Sequence, residues 1–352
     1  MSPPIKFTQQ PVFTEFSDII DVRSPSEFID DHIPGARNLY VLNDEERAQI
    51  GTIYKQESPF EAKKLGASLV SANIAHWTRE YFLDQNKDYR PLIYCWRGGQ
   101  RSLSLATVLS RIGWETTLIE GGYRNYRAEV RNSLEICCPK LNLRIIAGLT
   151  GTAKTLILQK LAEKGEQVID LEGLANHRGS LLGLLPGNSQ PSQKYFESLL
   201  ARQIQGFSPQ KTVWIESESN KIGKLHCPSP LWERMKLADA IEVEAPIHAR
   251  VDYLLEQYHE FIEDPEELKR RLSLLTERHG TNVLNGWFEL IEQNQWAAFV
   301  SRLLKEHYDP AYQRSIKTNK RKIRDHISLS KLGMHEIENA IVNILSNNVQ
   351  QP

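Results

Sequence analysis

The sequence predicts an α/β protein in which two consecutive parallel-sheet units are followed by a helical region. Three observations support this. Residues 1–132 alternate short apolar runs with stretches of helical periodicity. The same alternation restarts at residue 143 and continues to residue 250, and residues 251–352 contain mainly apolar residues at helical spacing. Because strands that alternate with helices pair in parallel, we predict three regions: 1–132, 143–250 and 251–352.

In the first region four short runs predict strands. They are "DIIDVRS", "ARNLY", "RPLIYC" and "ETTLIEGGY". "PSEFIDDHI" predicts a short capped helix, and "RSLSLATVLSRIG" predicts a longer helix that ends at Gly113. The boundary between the first and second regions is predicted around "NSLEICCPKLN".

In the second region "LRIIA" predicts a strand, and "LILQKLAEKG" predicts the helix that follows its loop. Three further strands are predicted by "QVIDLEG", "KTVWIESES" and "DAIEVEAP". Beyond residue 250 the sequence predicts helices with hardly a strand between them.

Composition and charge narrow the class of protein. The net charge of −1 argues against a globally basic nucleic-acid binder, although it allows a local basic patch. No stretch approaches the roughly 18 apolar residues of a membrane span, and "MSPPIKFTQQ" lacks the apolar core of a secretion signal. Only 4 cysteines occur, and two are adjacent, which fits neither a disulfide framework nor paired zinc ligands. We therefore expect a cytoplasmic protein with reduced thiols and no membrane partner.

The stretch "YCWRGGQRSLSLA" places Cys95 between a predicted buried strand and a predicted helix. At that position the helix dipole and the backbone N–H groups favour a thiolate. Gly98 and Gly99 allow successive N–H groups to point inward at an anion. The guanidinium of Arg101 and the hydroxyl of Ser102 are further oxyanion donors, and Arg97 belongs to the same loop. A buried cysteine that only packs is the alternative, but the polar and glycine-rich surroundings favour a reactive thiol.

This constellation resembles the rhodanese family over most of residues 10–130. "DVRSPSEFIDDHIPGARNL" is similar to the family's N-terminal signature, and the chalcogen-carrying cysteine of the family falls on Cys95. Five residues separate Cys95 from Arg101, whereas ordinary sulfur-transferring rhodaneses usually have one residue fewer. The longer loop is similar to that of rhodanese-like phosphatases and favours a phosphorus-bearing donor.

Two functions remain open for Cys95 at this point. A phosphatase would form a phosphocysteine, whereas a chalcogen transferase would carry sulfur or selenium. A phosphatase also needs a general acid, and the sequence marks no clear candidate. The acidic residues that we considered, all of which are equally consistent with solvated surface charges, are Asp30, Asp31, Asp84 and Asp88.

The stretch "GLTGTAKT", Gly148 to Thr155, lies between the predicted strand and helix of the second region. It is similar to the P-loop pattern, in which backbone N–H groups and a lysine bind phosphates and a hydroxyl residue binds Mg²⁺. We predict that Gly148, Gly151, Lys154 and Thr155 bind a diphosphate or triphosphate. Ala153 stands where the pattern has glycine, and we expect its methyl group to crowd the loop or the phosphate.

Weaker signals surround this loop. Glu216 and Glu218 end a predicted strand, so Glu216 is a candidate Mg²⁺ ligand together with Thr155, with solvated carboxylates as the alternative. His177 and Arg178 follow another strand, where they are either substrate-binding residues or part of a surface loop. The remaining thiols, Cys137, Cys138 and Cys227, are interpreted as structural or incidental, because no anion-binding pattern surrounds them.

A rhodanese unit with "CWRGGQRS" fused to a unit with "GLTGxxKT" is identified as a member of the tRNA 2-selenouridine synthase family. The stretches "QPSQKYFES", "WIESES", "IGKLHCPSPLWERM" and "LLKEHYDPAY" extend the resemblance over nearly the whole chain. The combination of the two motifs is much more specific than either alone.

The resemblance implies an activity, which replaces the sulfur of 2-thiouridine at the tRNA wobble position with selenium. Selenophosphate and geranyl diphosphate are the implied co-substrates, and S-geranyl-2-thiouridine is the implied intermediate. Cys95 is expected to attack or accept from selenophosphate and to present selenium as a selenylsulfide. Because of Ala153 we expect geranyl diphosphate rather than a nucleotide at the phosphate loop. A transient contact with the enzyme that makes selenophosphate is also implied.

A tRNA substrate requires basic surface. "YQRSIKTNKRKIRDH" contains such a cluster, and a solvated helix face is the alternative interpretation. Its members are Arg314, Lys317, Lys320, Arg321, Lys322 and Arg324. Two alternative functions remain: a rhodanese-like phosphatase or arsenate-type reductase with a nucleotide-binding domain, and a non-catalytic tRNA-binding protein.

Overall fold

A computed structural model of the chain describes residues 2–184, 187–319 and 322–349. The chain divides into two compact units. The first consists of Met1–Ser133 and Ser192–Arg202, and the second of Leu134–Pro191 and Gln203–Pro352. The first unit is therefore built from two separate segments of the sequence.

The first unit contains a five-stranded parallel sheet in the order β1-β5-β4-β2-β3. The strands are β1 Lys6–Thr8, β2 Asp18–Asp21, β3 Arg37–Asn38, β4 Pro91–Tyr94 and β5 Thr117–Ile119. The helices that follow in this part of the chain are α1 Pro25–Asp30, α2 Asp44–Gln56, α3 Pro59–Glu80, α4 Gln100–Ile112 and α5 Gly122–Cys137. Short 3-10 turns span Phe13–Glu15, Phe82–Asp84 and Cys138–Lys140.

Strand β4 is the centre of this sheet. Its four residues are all buried, as expected for a parallel strand that is covered on both faces. Ile93 lies opposite Ile20 of β2 on one side and Leu118 of β5 on the other. The residue that follows β4, Cys95, is therefore held at the middle of the carboxyl edge of the sheet.

The second unit contains another five-stranded parallel sheet, in the order β12-β11-β6-β8-β7. The strands of this unit are β6 Asn142–Ala147, β7 Gln167–Ile169, β8 Thr212–Glu216, β9 Lys221–Ile222, β10 Leu225–His226, β11 Asp239–Glu244 and β12 Ile323–Ser328. Strands β9 and β10 form a separate antiparallel hairpin.

The helices from residue 154 onward include two at the start of the second unit, α6 Lys154–Glu163 and α7 Leu171–Ala175. The others are α8 Gln193–Gln205, α9 Ser229–Lys236, α10 Ile247–Gln257, α11 His259–Glu263, α12 Pro265–Leu272, α13 Thr276–His279, α14 Thr281–Glu292, α15 Trp296–Leu303, α16 Asp309–Asn319 and α17 Met334–Val349. A 3-10 turn spans Ser273–Leu275, and a π-helical turn, Leu304–Tyr308, joins α15 to α16.

The predicted fold class is confirmed, with one departure in the helical region. The sequence pattern does not predict strand β12, because "IRDHIS" follows a run of basic residues that is typical of a charged helix face. Half-buried Ile323, Asp325 and Ile327 alternate with exposed residues along it, as on an edge strand. Beyond residue 250 the chain therefore returns to the second sheet.

Candidate functional sites

Cys95 lies in a short loop between β4 and α4, and its side chain is 3% exposed. Its Sγ accepts a hydrogen bond from the backbone N–H of Gly99 at 3.2 Å and another from the Ser102 hydroxyl at 3.2 Å. Both donors come from residues at the start of α4, where backbone N–H groups lack intrahelical partners. The loop thus directs two hydrogen-bond donors at one sulfur atom.

Two glycines allow the close approach that forms this loop. Gly98 has φ +66°, and a Cβ there would lie 2.9 Å from the carbonyl oxygen of Ile119. Gly122, at the start of α5, has φ +59°, and its Cβ would lie 2.2 Å from the carbonyl oxygen of Cys95. Gly99, in contrast, has φ −101°, which other residues adopt readily. Sequence reasoning missed Gly122, although the glycine pair "EGGY" was a usable signal.

Arg101, predicted as an oxyanion clamp, forms an ion pair in the structure. Its guanidinium donates to Oε2 of Glu27 at 2.9 Å, and Arg47 approaches the same oxygen at 3.0 Å. Burial would raise the pKa of Glu27, but the hydrogen bond and charge of Arg101, with the charge of Arg47, hold that pKa below its ordinary value. Arg97 is exposed. The oxyanion role of both arginines stays a prediction.

Asp31 corrects the expectation that the aspartates of the first unit are solvated. It is fully buried, and its two carboxylate oxygens accept hydrogen bonds of 2.8 Å from Tyr123 and Ser198. Burial raises its pKa despite these donors. Because both oxygens are engaged, Asp31 has a structural role and is not placed to act as a general acid. Asp84 and Asp88 are exposed.

The phosphate loop of the second unit connects β6 to α6. Gly148 has φ +147°, and a Cβ there would lie 2.4 Å from the carbonyl oxygen of Val243 in β11. Gly151 has φ +81°, and its Cβ would lie 2.8 Å from Cδ1 of Leu254 in α10. Tyr312, which sequence reasoning missed, accepts a hydrogen bond of 2.7 Å from the N–H of Gly148 through its hydroxyl oxygen. Glycine at both loop positions is therefore required by the backbone and by its neighbours.

Lys154 folds back over this loop. Its Nζ donates to the carbonyl oxygens of Gly148 at 2.9 Å and Leu149 at 3.1 Å. Burial lowers the pKa of Lys154, and the nearby carboxylates, led by that of Glu172, oppose this shift. The ammonium group thus lies within the loop, and its phosphate-binding role stays a prediction.

Ala153 occupies the second glycine position of the pattern with a left-handed backbone, φ +60° and ψ +28°. Its side chain is 3% exposed and belongs to an apolar cluster with Ile146, Ile157 and Trp214. The methyl group therefore packs into the core, which corrects our expectation that it crowds the loop or the phosphate. Ala153 consequently gives no reason to prefer one phosphate ligand over another.

Carboxylates gather beside Lys154 and Thr155. The Thr155 hydroxyl donates to Glu172 at 3.1 Å, and the N–H of Glu172 donates to Oε1 of Glu216 at 2.9 Å. Oε2 of Glu216 is buried and has no hydrogen-bond partner among the described residues. Burial, followed by the charge of Glu172, raises the pKa of Glu218 to about 8, and burial also raises the pKa values of Glu216 and Glu172. Sequence reasoning missed Glu172, although "DLEG" ends a predicted strand.

The loop after α7 contains the two other residues singled out in this unit. His177 is 9% exposed, burial lowers its pKa, and its Nδ1 lacks a partner within the described chain. The guanidinium of Arg178 lies 4.8 Å from the ring centroid of Tyr258. Both side chains thus pack within the unit, and their role in substrate binding stays a prediction.

The remaining cysteines and the basic cluster can also be compared with the predictions. Cys138 and Cys227 are buried, and burial raises the pKa of each thiol to about 12, which fits the structural role that we predicted. In the basic cluster, Arg314 and Lys322 are exposed, and Arg324 pairs with Asp239 at 2.9 Å. Lys320, Arg321 and the side chain of Lys317 lie outside the described part of the chain.

Within the described ranges, no helix is both long enough and apolar enough to cross a membrane. Family models match both units of the chain. A rhodanese-like domain matches residues 8–129, and a tRNA 2-selenouridine synthase AAA domain matches residues 141–337.

Relatives named tRNA 2-selenouridine synthase support the same assignment. The Alcanivorax borkumensis protein is 38% identical over 251 residues, which are 70% of this chain and 68% of that protein. The Nitrosomonas europaea protein is 36% identical over 70% of this chain and 65% of its own length. The Sulfurovum sp. protein is 33% identical over 342 residues, which cover 87% of this chain and 90% of that protein. The chain, with its rhodanese-like thiol loop and its phosphate loop, belongs to the tRNA 2-selenouridine synthase family.

Proposed function

We propose that this protein replaces the sulfur of 2-thiouridine at the tRNA wobble position with selenium from selenophosphate, through an S-geranyl-2-thiouridine intermediate. The family assignment supports a tRNA-modifying enzyme. The observation that supports the chemistry most directly is the Cys95 sulfur, which accepts hydrogen bonds from Gly99 and Ser102 in the loop between β4 and α4. The phosphate loop supplies a separate site for the diphosphate.

In the first step the thiocarbonyl sulfur of the uridine attacks C1 of geranyl diphosphate. The C1–O bond breaks, pyrophosphate leaves with the electron pair, and the uridine loses its N3 proton. Lys154 and the backbone N–H groups of the phosphate loop would stabilise the negative charge that develops on the leaving diphosphate. The step converts a poor leaving group, the thiocarbonyl sulfur, into a good one, geranylthiolate.

A magnesium ion fits the residues beside this loop. Thr155 and the unpartnered Oε2 of Glu216 provide the oxygen ligands that Mg²⁺ prefers. When bound, the ion would supply positive charge to the diphosphate. Glu216 would then keep its carboxylate charged despite burial.

In the second step we propose that Cys95 attacks the phosphorus of selenophosphate. The Se–P bond breaks, selenide leaves with the electron pair, and a phosphocysteine forms on Sγ. Selenide attacks C2 of the geranylated uridine and displaces geranylthiolate, and water hydrolyses the phosphocysteine to orthophosphate. No oxidant or reductant is needed in this sequence.

The route through a selenylsulfide, which the family resemblance implies, gives a different phosphorus-containing by-product. If Sγ attacks selenium instead, the electron pair of the Se–P bond stays on phosphorus, and the by-product is phosphite. ³¹P NMR of the reaction therefore separates the two routes, because only attack on phosphorus gives orthophosphate directly. Phosphite as the product would contradict the phosphocysteine route while leaving Cys95 as the nucleophile.

The experiment that tests the whole proposal is mass spectrometry of nucleosides from 2-thiouridine tRNA incubated with the protein, geranyl diphosphate and selenophosphate. Cys95→Ala should abolish 2-selenouridine and accumulate the S-geranyl nucleoside. Lys154→Ala should abolish geranyl transfer but still convert tRNA that is already geranylated. Cys137→Ala is the matched control, since it removes a thiol outside the loop and should leave both products unchanged.

Two results would favour the alternative functions. Release of phosphate from small aryl phosphates without any dependence on tRNA would support a phosphatase. Retained tRNA binding without base modification would support a non-catalytic binding protein. Both the proposed enzyme and a non-catalytic binding protein would bind tRNA. In both cases, contacts of the basic cluster with tRNA phosphates should weaken steeply as the salt concentration increases.

A further inference from the structure

A wide groove lies on the first unit between α3 and α4, and residues of α2 and of the turn Phe82–Asp84 also line it. We term it the α3–α4 groove. Its volume is about 1020 Å³, at the upper end of the range of about 300–1,000 Å³ that small-molecule sites have. The groove therefore has room for a substrate group as large as a terpene chain.

The α3–α4 groove borders the Cys95 loop. Gln100 and Arg101, the first two residues of α4, line it. The residues on either side of this pair, Gly99 and Ser102, supply the N–H and the hydroxyl that donate to Sγ of Cys95. A substrate group that is bound next to the sulfur can therefore extend directly into the groove.

From this loop the groove follows one face of α4. Ser104 and Val108 line it about one and two helical turns beyond Arg101, on the same side of the helix. At 1.5 Å per residue, the stretch from Arg101 to Val108 is about 10 Å long. This length is comparable with that of an extended geranyl chain, so the whole chain can lie along α4.

The floor of the groove is part of the core of the first unit. Ile74 of α3 lies in the same buried apolar cluster as Leu105 of α4, and Val70 packs against that cluster. Nε1 of Trp77 donates to the carbonyl oxygen of Tyr40 at 2.8 Å and fixes α3 in place. The groove is thus held open by packed elements and needs no rearrangement to form.

The lining combines an apolar surface with positive charge. Leu83, at 73% exposure, and Val108, at 36%, extend the apolar floor to the surface, and such exposed patches mark binding sites. The charged lining residues are all basic, and none of the described lining residues is acidic. They are Lys63, Arg79 and Arg101. This combination suits a hydrocarbon that is attached to a polyanion, because tRNA phosphates contact basic side chains.

We infer that the α3–α4 groove binds the geranyl chain of S-geranyl-2-thiouridine in tRNA while selenium is delivered from the Cys95 loop. The inference rests on the proposed function, in which this nucleotide is the substrate of the second step. The groove would place the sulfur that leaves as geranylthiolate beside Cys95. It would also distinguish geranylated tRNA from tRNA that still carries 2-thiouridine.

The test uses the full-length protein and two tRNAs, which bear S-geranyl-2-thiouridine or S-methyl-2-thiouridine at the wobble position. Equilibrium binding measures affinity, and mass spectrometry of nucleosides after addition of selenophosphate measures conversion. Both bases carry an alkylated sulfur, so they differ only in the size of the hydrocarbon. Wild type should bind the geranylated tRNA at least about tenfold more tightly, because burial of each apolar carbon adds affinity.

Two substitutions from opposite walls introduce a charge into the groove without repelling tRNA. Val108→Arg on α4 and Ala67→Arg on α3 should each remove the preference for the geranylated tRNA and leave binding of the methylated tRNA unchanged. Thr107→Arg is the matched control, since Thr107 is exposed on α4 but does not line the groove. It should keep the wild-type preference. If one groove variant does not fold, the other decides the question.

The outcomes separate this inference from the proposed function. If wild type converts both tRNAs to 2-selenouridine but binds them equally well, the groove assignment is wrong and the proposed function stands. If wild type converts neither tRNA, the proposed function fails, and a preference that Val108→Arg removes would still locate the geranyl chain in the groove. An unchanged preference in both groove variants, or an equal loss in Thr107→Arg, would overturn the groove assignment.

Sedimentation velocity tests a different occupant, a second copy of the chain. If Val108→Arg dissociates a dimer and leaves the preference for the geranylated tRNA unchanged, the groove is an interface between copies and the inference is wrong. An unchanged sedimentation coefficient together with a lost preference supports binding of the geranyl chain.

Discussion

The Cys95 loop and the phosphate loop share a strand–loop–helix arrangement but direct their hydrogen-bond donors at different kinds of atom. Each follows a central strand of a five-stranded parallel sheet and leads into a helix. In the first loop the donors of Gly99 and Ser102 point at a sulfur of the protein itself. In the second, Lys154 points back at the carbonyl oxygens of its own loop. Under the proposed function, the first arrangement would prepare a nucleophile and the second a binding site for the anion of a ligand.

The two loops also differ in what limits their shape. Around Cys95 the constraint comes from Gly98 within the loop and also from a distant glycine, Gly122, which lets the turn before α5 pack onto the Cys95 carbonyl. In the phosphate loop the constraint lies within the loop, at Gly148, Gly151 and the left-handed Ala153. We therefore expect substitutions to affect catalysis at the first loop and stability or ligand binding at the second.

Of the substitutions that test this comparison, Arg101→Ala is expected to have the largest effect. Arg101→Ala should lower the rate of selenium incorporation by about 10²-fold, because it removes a cationic donor beside the Cys95 loop. Arg47→Ala is the control, since Arg47 pairs with the same oxygen of Glu27. Single-turnover kinetics with geranylated tRNA measures the step. Equal losses in the two variants would show that the pairing with Glu27, rather than contact with the donor, explains the effect.

A smaller effect is expected at Glu218. Burial and the charge of Glu172 raise the pKa of Glu218 to about 8, so folding favours its protonated form. Its contribution to stability is full below a pH of about 4.5 and is lost as pH rises to about 8. The free energy of unfolding of wild type should therefore decrease between pH 5 and pH 8. In Glu218→Gln this decrease should be smaller by at least about 1 kcal/mol, because the substituted side chain does not titrate.

Urea denaturation at several pH values measures this difference. Glu233→Gln, at an exposed position paired with Lys236, should show the wild-type pH dependence. Parallel curves for wild type and Glu218→Gln would contradict the raised pKa of Glu218.

The smallest effect is expected for Ala153→Gly. Glycine relieves the left-handed strain of about 1 kcal/mol, but it also loses a buried methyl group worth about 0.8 kcal/mol and gains freedom in the unfolded chain. The free energy of unfolding should therefore change by less than about 1 kcal/mol. Ala153→Val should be much less stable, because a branched side chain tolerates this backbone poorly. Thermal unfolding of both variants checks the prediction, and equal stability of Val and Ala at this position would overturn the strain argument.

Local patterns in the sequence predict the secondary structure around both sites. The apolar run before Cys95, the helical spacing after it and the glycines of "GLTGTAKT" are sufficient to indicate the strand–loop–helix arrangement of each loop. The match extends to the Ser102 hydroxyl and Lys154, both of which lie where the motifs place them. These features depend on residues that are close together in the sequence.

Contacts between distant residues could not be predicted in the same way. Gly122 meets the Cys95 carbonyl only because β5 lies next to β4, and Tyr312 reaches Gly148 from the far end of the chain. Asp31 resembles a surface charge in the sequence because its partners Tyr123 and Ser198 are remote along the chain. The direction of the Ala153 methyl likewise depends on which side of the loop faces the core.

The buried Asp31 has a consequence for the order in which the chain can fold during synthesis. One of its oxygens is satisfied by Ser198, which belongs to the short segment 192–202 of the first unit. While the ribosome is still translating the intervening residues, that carboxylate oxygen lacks its partner, and the nascent N-terminal unit is incomplete. A gene fragment that stops at Ser133 encodes the same unfinished state. The first unit is therefore completed only after the phosphate loop, which precedes Ser198 in the sequence, has already been synthesised.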